Sequence, residues 1–225
     1  MVVAAWIIAV GLLWGILHFF ASFDVRDSAT YTFFYLAMGL AWVSLIITLF
    51  KWLDWNYAED VLERNNRAAA SGQAGLIIGL MLAFAGANIG DGPGWFVVVF
   101  CAFLSTFTLI LAWLIVDRAT DWITHITVDR DLASGVRAGA FFVAGGLIVG
   151  RAVAGDWVST SRTIHDFFRQ AWGILPLLLV AGIAQALFRP SERRPHGSLP
   201  AALLTAVVYL YYAATLVYYR GPLAQ

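Results

Sequence analysis

Charged residues divide this chain into seven long apolar stretches, and no other feature of the sequence constrains the fold more. A helix needs about 20 apolar residues to cross a hydrocarbon layer roughly 30 Å thick. The predicted spans are 1–23, 28–50, 68–90, 92–116, 138–155, 170–188 and 195–219. The fifth span is the weakest, because Arg151 interrupts it. We expect Arg137 and Arg151 to extend from its ends towards opposite membrane surfaces; the alternative is a buried segment that crosses half the bilayer.

The composition excludes a water-soluble fold. The chain is 61% hydrophobic and 12% charged, with a mean hydropathy of +0.78, whereas soluble domains are about half apolar and a quarter charged. A transmembrane barrel is excluded because runs such as 75–82 lack alternation with period two. The predicted fold is therefore an all-α polytopic transmembrane bundle of about seven helices with repeated helical hairpins. Zero formal charge argues against nucleic-acid binding.

The distribution of Lys and Arg predicts an orientation, because these residues concentrate in cytoplasmic loops. Nine of the fourteen fall near the loops after the second, fourth and sixth spans: Lys51, Arg64, Arg67, Arg118, Arg130, Arg137, Arg189, Arg193 and Arg194. The expected address is the bacterial inner membrane, with the N-terminus cytoplasmic and the C-terminus outside. Trp52, Trp55 and Trp122 are expected near the cytoplasmic interface.

The sequence matches itself when it is shifted by 64 residues. The shift aligns Gly75 with Gly139 and Gly86 with Gly150. Each copy would be a helix, a cytoplasmic loop and a second helix, related by an axis along the membrane normal. The plainer interpretation is a duplication that serves packing only. The alternative is a polar path along the axis, lined by residues such as Gln73, Asn88 and Gln185.

The loop 51–67 predicts a short amphipathic helix at the membrane interface. Trp55, Ala58, Val61 and Leu62 fall on one helical face, with the acidic residues elsewhere. Small residues then lead into the third span, where Gly75 and Gly79 form a small-xxx-small pair. Such pairs let helix backbones approach closely, so we expect a packing face there.

The segment 63–70, which reads Glu-Arg-Asn-Asn-Arg-Ala-Ala-Ala, precedes Gly75 and Gly79 and resembles a known family. This family is domain of unknown function 350, the YjfL-like bacterial inner-membrane proteins. Residues 129–139 resemble the second half of the family's domain, although Asp131 or Arg130 stands where members often carry Asn. The resemblance covers about residues 31–157, a four-helix unit.

The resemblance implies a membrane topology and, at most, a role in envelope stress. It implies no established activity and no catalytic residues. Three segments follow from it: an extra helix with its outer loop at 1–30, two hairpin repeats at 31–157, and two further helices at 158–225. The candidate binding residues are Glu63, Asn65, Asn66, Arg67, Asp129, Arg130, Asp131 and Arg137.

A metal site is a weaker candidate in the loop after the fourth span. Asp117, Asp121, His125 and Asp129 recur every four residues, and a carboxylate–His pair at that spacing can hold a divalent ion on a helix. A solvated polar helix face predicts the same stripe. We therefore expect no metal, and we expect no other cofactor.

Three functions remain open at this point. The first is a structural component that binds a membrane-protein partner or itself, with the lipid bilayer as its surroundings. The second is an ion or small-solute channel or transporter that uses the polar path between repeats. The third is a membrane enzyme, which is disfavoured because the spans contain no carboxylate pair or nucleophile–base arrangement.

Overall fold

A computed structural model describes residues 1–191 and 196–221, and the regular elements in these residues are helical. The α-helices are α1 (Val2–Phe19), α2 (Phe23–Arg26), α3 (Ala29–Leu49), α4 (Arg67–Gly86), α5 (Trp95–Thr120), α6 (Trp122–Thr127), α7 (Leu132–Val153), α8 (Thr160–Ala171), α9 (Ile174–Phe188) and α10 (Leu199–Tyr219). A 3₁₀ turn at Phe50–Leu53 and a π-helical segment at Tyr57–Glu63 separate α3 from α4. Arg193, Arg194 and Pro195 lie outside the described residues.

Among the described residues, six helices are long and apolar enough to cross a membrane: α1, α3, α4, α5, α7 and α10. A seventh span exists if α8 and α9 form one, bent by 41°. Helix α7 has 22 residues and is about 33 Å long, so the weak fifth span is full length rather than half length. The chain is a multi-pass membrane protein with an all-α bundle fold, as predicted.

The bend between α8 and α9 replaces the straight sixth span that the sequence predicts. Pro176 lies in the first turn of α9, where its missing N–H is tolerated. Its ring would clash with the carbonyl of Trp172 in a continuous helix, so α8 ends at Ala171.

Helices α4 and α7 form the centre of the bundle and run parallel. In each of them, 78% of the most apolar 18-residue stretch is buried. Their glycines meet backbone to backbone: a Cβ on Gly75 would lie 2.2 Å from Gly139 Cα, and one on Gly86 would lie 2.1 Å from Gly150 O. We call this contact the glycine seam; it comprises Gly75, Gly79, Gly86, Gly139, Gly146 and Gly150. Lipid supplies no hydrophobic drive between helices, so close packing of this kind holds them together.

The other helices surround the seam. Helix α1 packs on α4, α10 packs on α7, and α5 packs on both central helices. Helices α1, α3 and α10 bury only 17–28% of their most apolar 18-residue stretches. Their remaining faces carry large apolar side chains, as expected for surfaces that meet lipid.

The two ends of the bundle differ in chemistry. The arginine-rich end contains residues 50–66, 118–131, 189–191 and 196–198, and the opposite end contains residues 20–28, 87–94 and 154–159. Non-glycine residues with left-handed backbone occur only at the arginine-rich end of the described chain: Asp54, Asn65, Asp121 and Arg130. Each of them lies between one helical element and the next.

The three Trp residues expected at the cytoplasmic interface differ in their exposure. Trp52 is 74% exposed, whereas Trp55 and Trp122 are fully buried. The two buried rings pack with Trp113 and Phe142 in one aromatic cluster. Trp55 and Trp122 follow the turns at Asp54 and Asp121 at the arginine-rich end, and their indoles are buried in the bundle there rather than exposed at its surface.

Candidate functional site

The eight candidate binding residues all lie at the arginine-rich end, but they do not share one environment. Five are exposed: Glu63, Asn65, Arg67, Asp129 and Arg130. Three are buried: Asn66, Asp131 and Arg137. The exposed residues are available to a partner, and the buried ones connect helical hairpins.

Asn66 links the start of α4 to the loop before α7. Its Oδ1 accepts hydrogen bonds from the N–H groups of Ala68 and Ala69, at 3.0 and 3.2 Å, and so caps α4. Its Nδ2 donates to the carbonyls of Ile126 and Thr127, at 2.8 and 3.3 Å. One side chain therefore caps a helix and holds the neighbouring hairpin.

Asp131 has the corresponding role at the start of α7. Its Oδ2 accepts from the N–H of Ser134 at 2.8 Å and caps the helix. Its Oδ1 accepts from the N–H of Gly197 at 2.8 Å, just before α10. An acid suits this position because its bridging partner is an N–H donor rather than a carbonyl.

We expect Asn66→Asp to lower the free energy of unfolding by about 1–3 kcal/mol, because an unsatisfied buried polar group has that cost. Aspartate keeps the oxygen that caps α4 but loses the amide hydrogens that bind Ile126 and Thr127. Thermal unfolding in detergent, followed by Trp fluorescence, measures the difference. Asn65→Asp is the control at an exposed position. Equal stability of the two variants would contradict the bridging role.

Arg137 lies one turn inside α7 and is fully buried. Its Nε donates to Gln185 Oε1 at 2.8 Å, and its Nη2 donates to Ser134 Oγ at 3.1 Å. Gln185 Nε2 in turn donates to Ser134 Oγ at 3.0 Å. Asp131 supplies the countercharge, with its Oδ2 3.9 Å from Arg137 Nη2. We call Asp131, Ser134, Arg137 and Gln185 the Arg137 cluster.

The prediction that Arg137 extends to the membrane surface is wrong. A buried guanidinium needs a countercharge and hydrogen-bond acceptors, and the cluster provides both. Gln185, a candidate for lining a polar path, is instead a helix–helix contact between α9 and α7. Ser134 was not among the predicted site residues; its spacing of three residues from both Asp131 and Arg137 is the sequence signal that identifies it.

A cavity of about 680 Å³ opens at the arginine-rich end, between the loop 51–64 and the α5–α6 junction. We call it the Asp54 cavity. Asp60 lies in its wall, accepts the Asn56 N–H at 2.9 Å and pairs with Arg64 at 3.4 Å. Burial of the carboxyl raises the pKa of Asp60, and these contacts oppose the shift.

The predicted amphipathic face of the loop is only partly correct. Trp55 is buried, but Leu62 is 59% exposed and Asp60 is buried. The reason is the π-helical winding of Tyr57–Glu63, which turns successive side chains by a smaller angle than an α-helix does.

The possible metal stripe is not continuous. Helix α5 ends at Thr120 and Asp121 has a left-handed backbone (φ 52°), so Asp117 and His125 lie on different helices. Asp117 Oδ1 accepts the Ile123 N–H at 2.8 Å, and His125 Nδ1 lies 2.6 Å from Asp129 Oδ2. Within residues 1–191 and 196–221, no three His, Cys, Asp or Glu side chains form a group suited to a metal ion.

Comparison with known proteins identifies the family. No curated protein and no solved structure is a significant match. The family model described as Domain of Unknown Function (DUF350) matches residues 22–153, more than half of the chain. This match begins nine residues before the predicted four-helix unit 31–157 and ends within α7, and it contains the glycine seam, Asn66 and Arg137. The chain therefore belongs to the family called Domain of Unknown Function 350.

Proposed function

We propose that this protein is a non-enzymatic membrane component that binds a membrane-protein partner, or a second copy of itself, through its arginine-rich end. One observation carries the proposal: large apolar side chains are exposed there among free charges. Leu62 is 59% exposed and Val128 is 70% exposed. We call this exposed area the arginine-end surface; it comprises Leu62, Glu63, Asn65, Arg67, Val128, Asp129 and Arg130.

The two halves of this surface adjoin because Asn66 binds the carbonyls of Ile126 and Thr127. Arg67 and Arg130 form no ion pair with any side chain in the described parts of the chain. Exposed apolar groups surrounded by unpaired charge are typical of a surface that a partner covers, because the partner removes the apolar area from water and neutralises the charges.

The channel or transporter alternative requires a polar path between the hairpins. The glycine seam occupies that position, with backbone in contact with backbone from Gly75 to Gly150. The seam therefore favours the partner-binding proposal. Flux measurements decide between the two: we expect proteoliposomes to pass protons and common ions no faster than empty vesicles.

We further propose that the protein resides in a bacterial inner membrane with the arginine-rich end in the cytoplasm. The support is the excess of Lys and Arg at that end. A reporter that works only in the cytoplasm should be active when it is fused within residues 51–67. Activity there of a reporter that works only in the periplasm would mean that the orientation is the reverse. A role in envelope stress is supported by the family resemblance alone.

We also infer that α3–α4 and α5–α7 are an internal duplication. Left-handed residues recur at similar places in both hairpins, with Asp54 corresponding to Asp121 and Asn65 to Arg130, although these pairs are 67 and 65 residues apart rather than 64. Asn66 and Asp131 both cap a central helix and reach the next hairpin. Asp131 additionally neutralises the buried Arg137, so Asp131→Asn should destabilise the protein more than Asn66→Asp does. Equal unfolding free energies of the two variants would mean that Asp131 does not act as that countercharge.

Site-specific photocrosslinking in native membranes tests partner binding. We expect a photoreactive phenylalanine analogue at Leu62 or Val128 to give one discrete adduct, because both side chains project from the arginine-end surface. Mass spectrometry then distinguishes a second copy of the chain from another protein. The matched control is Val158, which is 76% exposed at the opposite end. The same adduct at Val158, or none at Leu62 and Val128, would refute the proposal.

Charge reversal supplies a second control for the same experiment. Arg67→Glu and Arg130→Glu together should lower the adduct yield about tenfold, because charges at the edge of an interface steer association. Arg26→Glu changes an exposed arginine at the opposite end and should leave the yield unchanged.

A further inference from the structure

A second cavity, of about 520 Å³, lies at the opposite end of the bundle, and none of the roles above uses it. We call it the Asp91 cavity. Its walls come from the turns after α4 and α7, the start of α5, the segment 21–25 and helix α8. The cavity is therefore a pocket between several helices at one membrane surface, and the glycine seam lies beyond it.

Two side chains that line the cavity are more than nine-tenths buried, and each has a polar atom without a protein partner. Tyr35 is 8% exposed, and its hydroxyl makes no hydrogen bond within the described residues. Asn88 is 6% exposed; its Nδ2 donates to the Phe84 carbonyl at 2.9 Å, which leaves its Oδ1 without a donor. Buried polar groups are almost always paired, so a hydroxyl and an amide oxygen facing a cavity indicate a polar occupant.

The rim of the cavity is acidic. Four carboxylates line it: Asp24, Asp91, Asp156 and Asp166. The single basic residue among the lining side chains, Arg162, is bound to Asp166 at 2.7 Å. Asp156 Oδ1 accepts the Asp91 N–H at 2.8 Å, whereas the Asp91 carboxylate has no partner among the described residues. The rim therefore attracts a cation.

We propose that the Asp91 cavity binds a small organic ammonium ion. The carboxylates of the rim would neutralise its charge, the Tyr35 ring would contact its alkyl groups, and Asn88 Oδ1 would accept a hydrogen bond from it. A bare divalent metal fits less well, because the described residues contain no compact group of three metal-binding side chains. The volume accommodates a molecule of several non-hydrogen atoms rather than a lone ion.

Calorimetric titration of the purified protein tests this proposal, with choline as the probe. Its uncharged carbon analogue, 3,3-dimethyl-1-butanol, is the matched control ligand. We expect choline to bind with a dissociation constant below about 10 mM, and the alcohol to bind at least tenfold more weakly, because the alcohol lacks the positive charge that the carboxylates attract. Equal binding of choline and the alcohol, or no binding of choline at about 50 mM, would overturn the proposal.

Substitutions locate the site. Asp91→Asn should weaken choline binding about fivefold, and Tyr35→Phe should weaken it less, since the ring remains. Asp27→Asn removes an exposed charge at the same end that does not line the cavity, and should have no effect. If Asp91→Asn and Asp27→Asn bind choline equally, the cation is not held in this cavity.

The only cysteine of the chain provides an independent reporter. Cys101 is 4% exposed and lines the cavity. Bound choline should slow its reaction with a small methanethiosulfonate reagent at least threefold, and the alcohol should not. Protection by choline that persists in Asp91→Asn would place the effect elsewhere and contradict the proposal.

Discussion

Replacing Gly75 with alanine is expected to separate α4 from α7 and to lower the free energy of unfolding by about 3 kcal/mol, the upper part of the range for overpacked positions. The added Cβ would lie 2.2 Å from Gly139 Cα and 2.3 Å from its carbonyl oxygen. Both atoms belong to the backbone, so no side-chain rotation can relieve the overlap. Urea or thermal titration in detergent, followed by Trp fluorescence, measures the loss.

Two glycines elsewhere in membrane helices provide the controls. Gly11 in α1 and Gly182 in α9 have nothing within 4 Å of an added Cβ. Alanine should therefore leave stability unchanged there, or raise it by up to about 1 kcal/mol through helix propensity. A Gly75→Ala variant as stable as Gly11→Ala would mean that the two central helices are not held by backbone contact.

The seam could be predicted from the sequence, because a run of small residues inside an apolar stretch indicates close helix packing whatever the partner. The spans could be located for a similar reason: charged residues mark where a helix leaves the bilayer. The sequence did not identify the partner of α4: the 64-residue shift aligns Gly75 with Gly139, but only the structure shows that these two glycines meet.

Arg137 shows where such reasoning fails. Its position next to the start of a span predicts a surface residue, because most arginines there extend to water. Its actual partner, Gln185, is 48 residues away and lies on another helix. Nothing in the local sequence specifies that contact. The Asp91 cavity was missed for the same reason, since Tyr35 and Asp156 approach Asn88 and Asp91 only through tertiary packing.

The sequence identified the candidate binding residues as a group but did not distinguish the exposed residues from those that cap helices or join them. Asn65 and Asn66 are adjacent in sequence, yet Asn65 is exposed with a left-handed backbone and Asn66 is a buried cap. The left-handed turn causes the difference, because it ends the π-helical segment and directs the next side chain inward. A sequence pattern identifies such a turn only weakly, since Asn tolerates this conformation without requiring it.

The second large effect is expected at Arg137. Arg137→Met should lower the free energy of unfolding by about 3–5 kcal/mol, the cost of breaking a buried charge pair by removing one partner. The variant leaves Asp131 charged without its countercharge and Gln185 without its donor. Arg151→Met is the matched control in the same helix: Arg151 is half-buried and makes one long contact, 3.4 Å to the Gly221 carbonyl. We expect that control to lose less than about 1 kcal/mol.

A double-mutant cycle separates the hydrogen bond from the charge. Gln185→Leu alone should destabilise the protein, because it removes the acceptor of Arg137 Nε. Combined with Arg137→Met it should cost less than the sum of the two single changes, since each single change already abolishes the same contact. Strict additivity would mean that the two side chains do not interact. A coupling of about 1 kcal/mol or more would show that a buried polar contact, and not apolar packing alone, fixes α9 against α7.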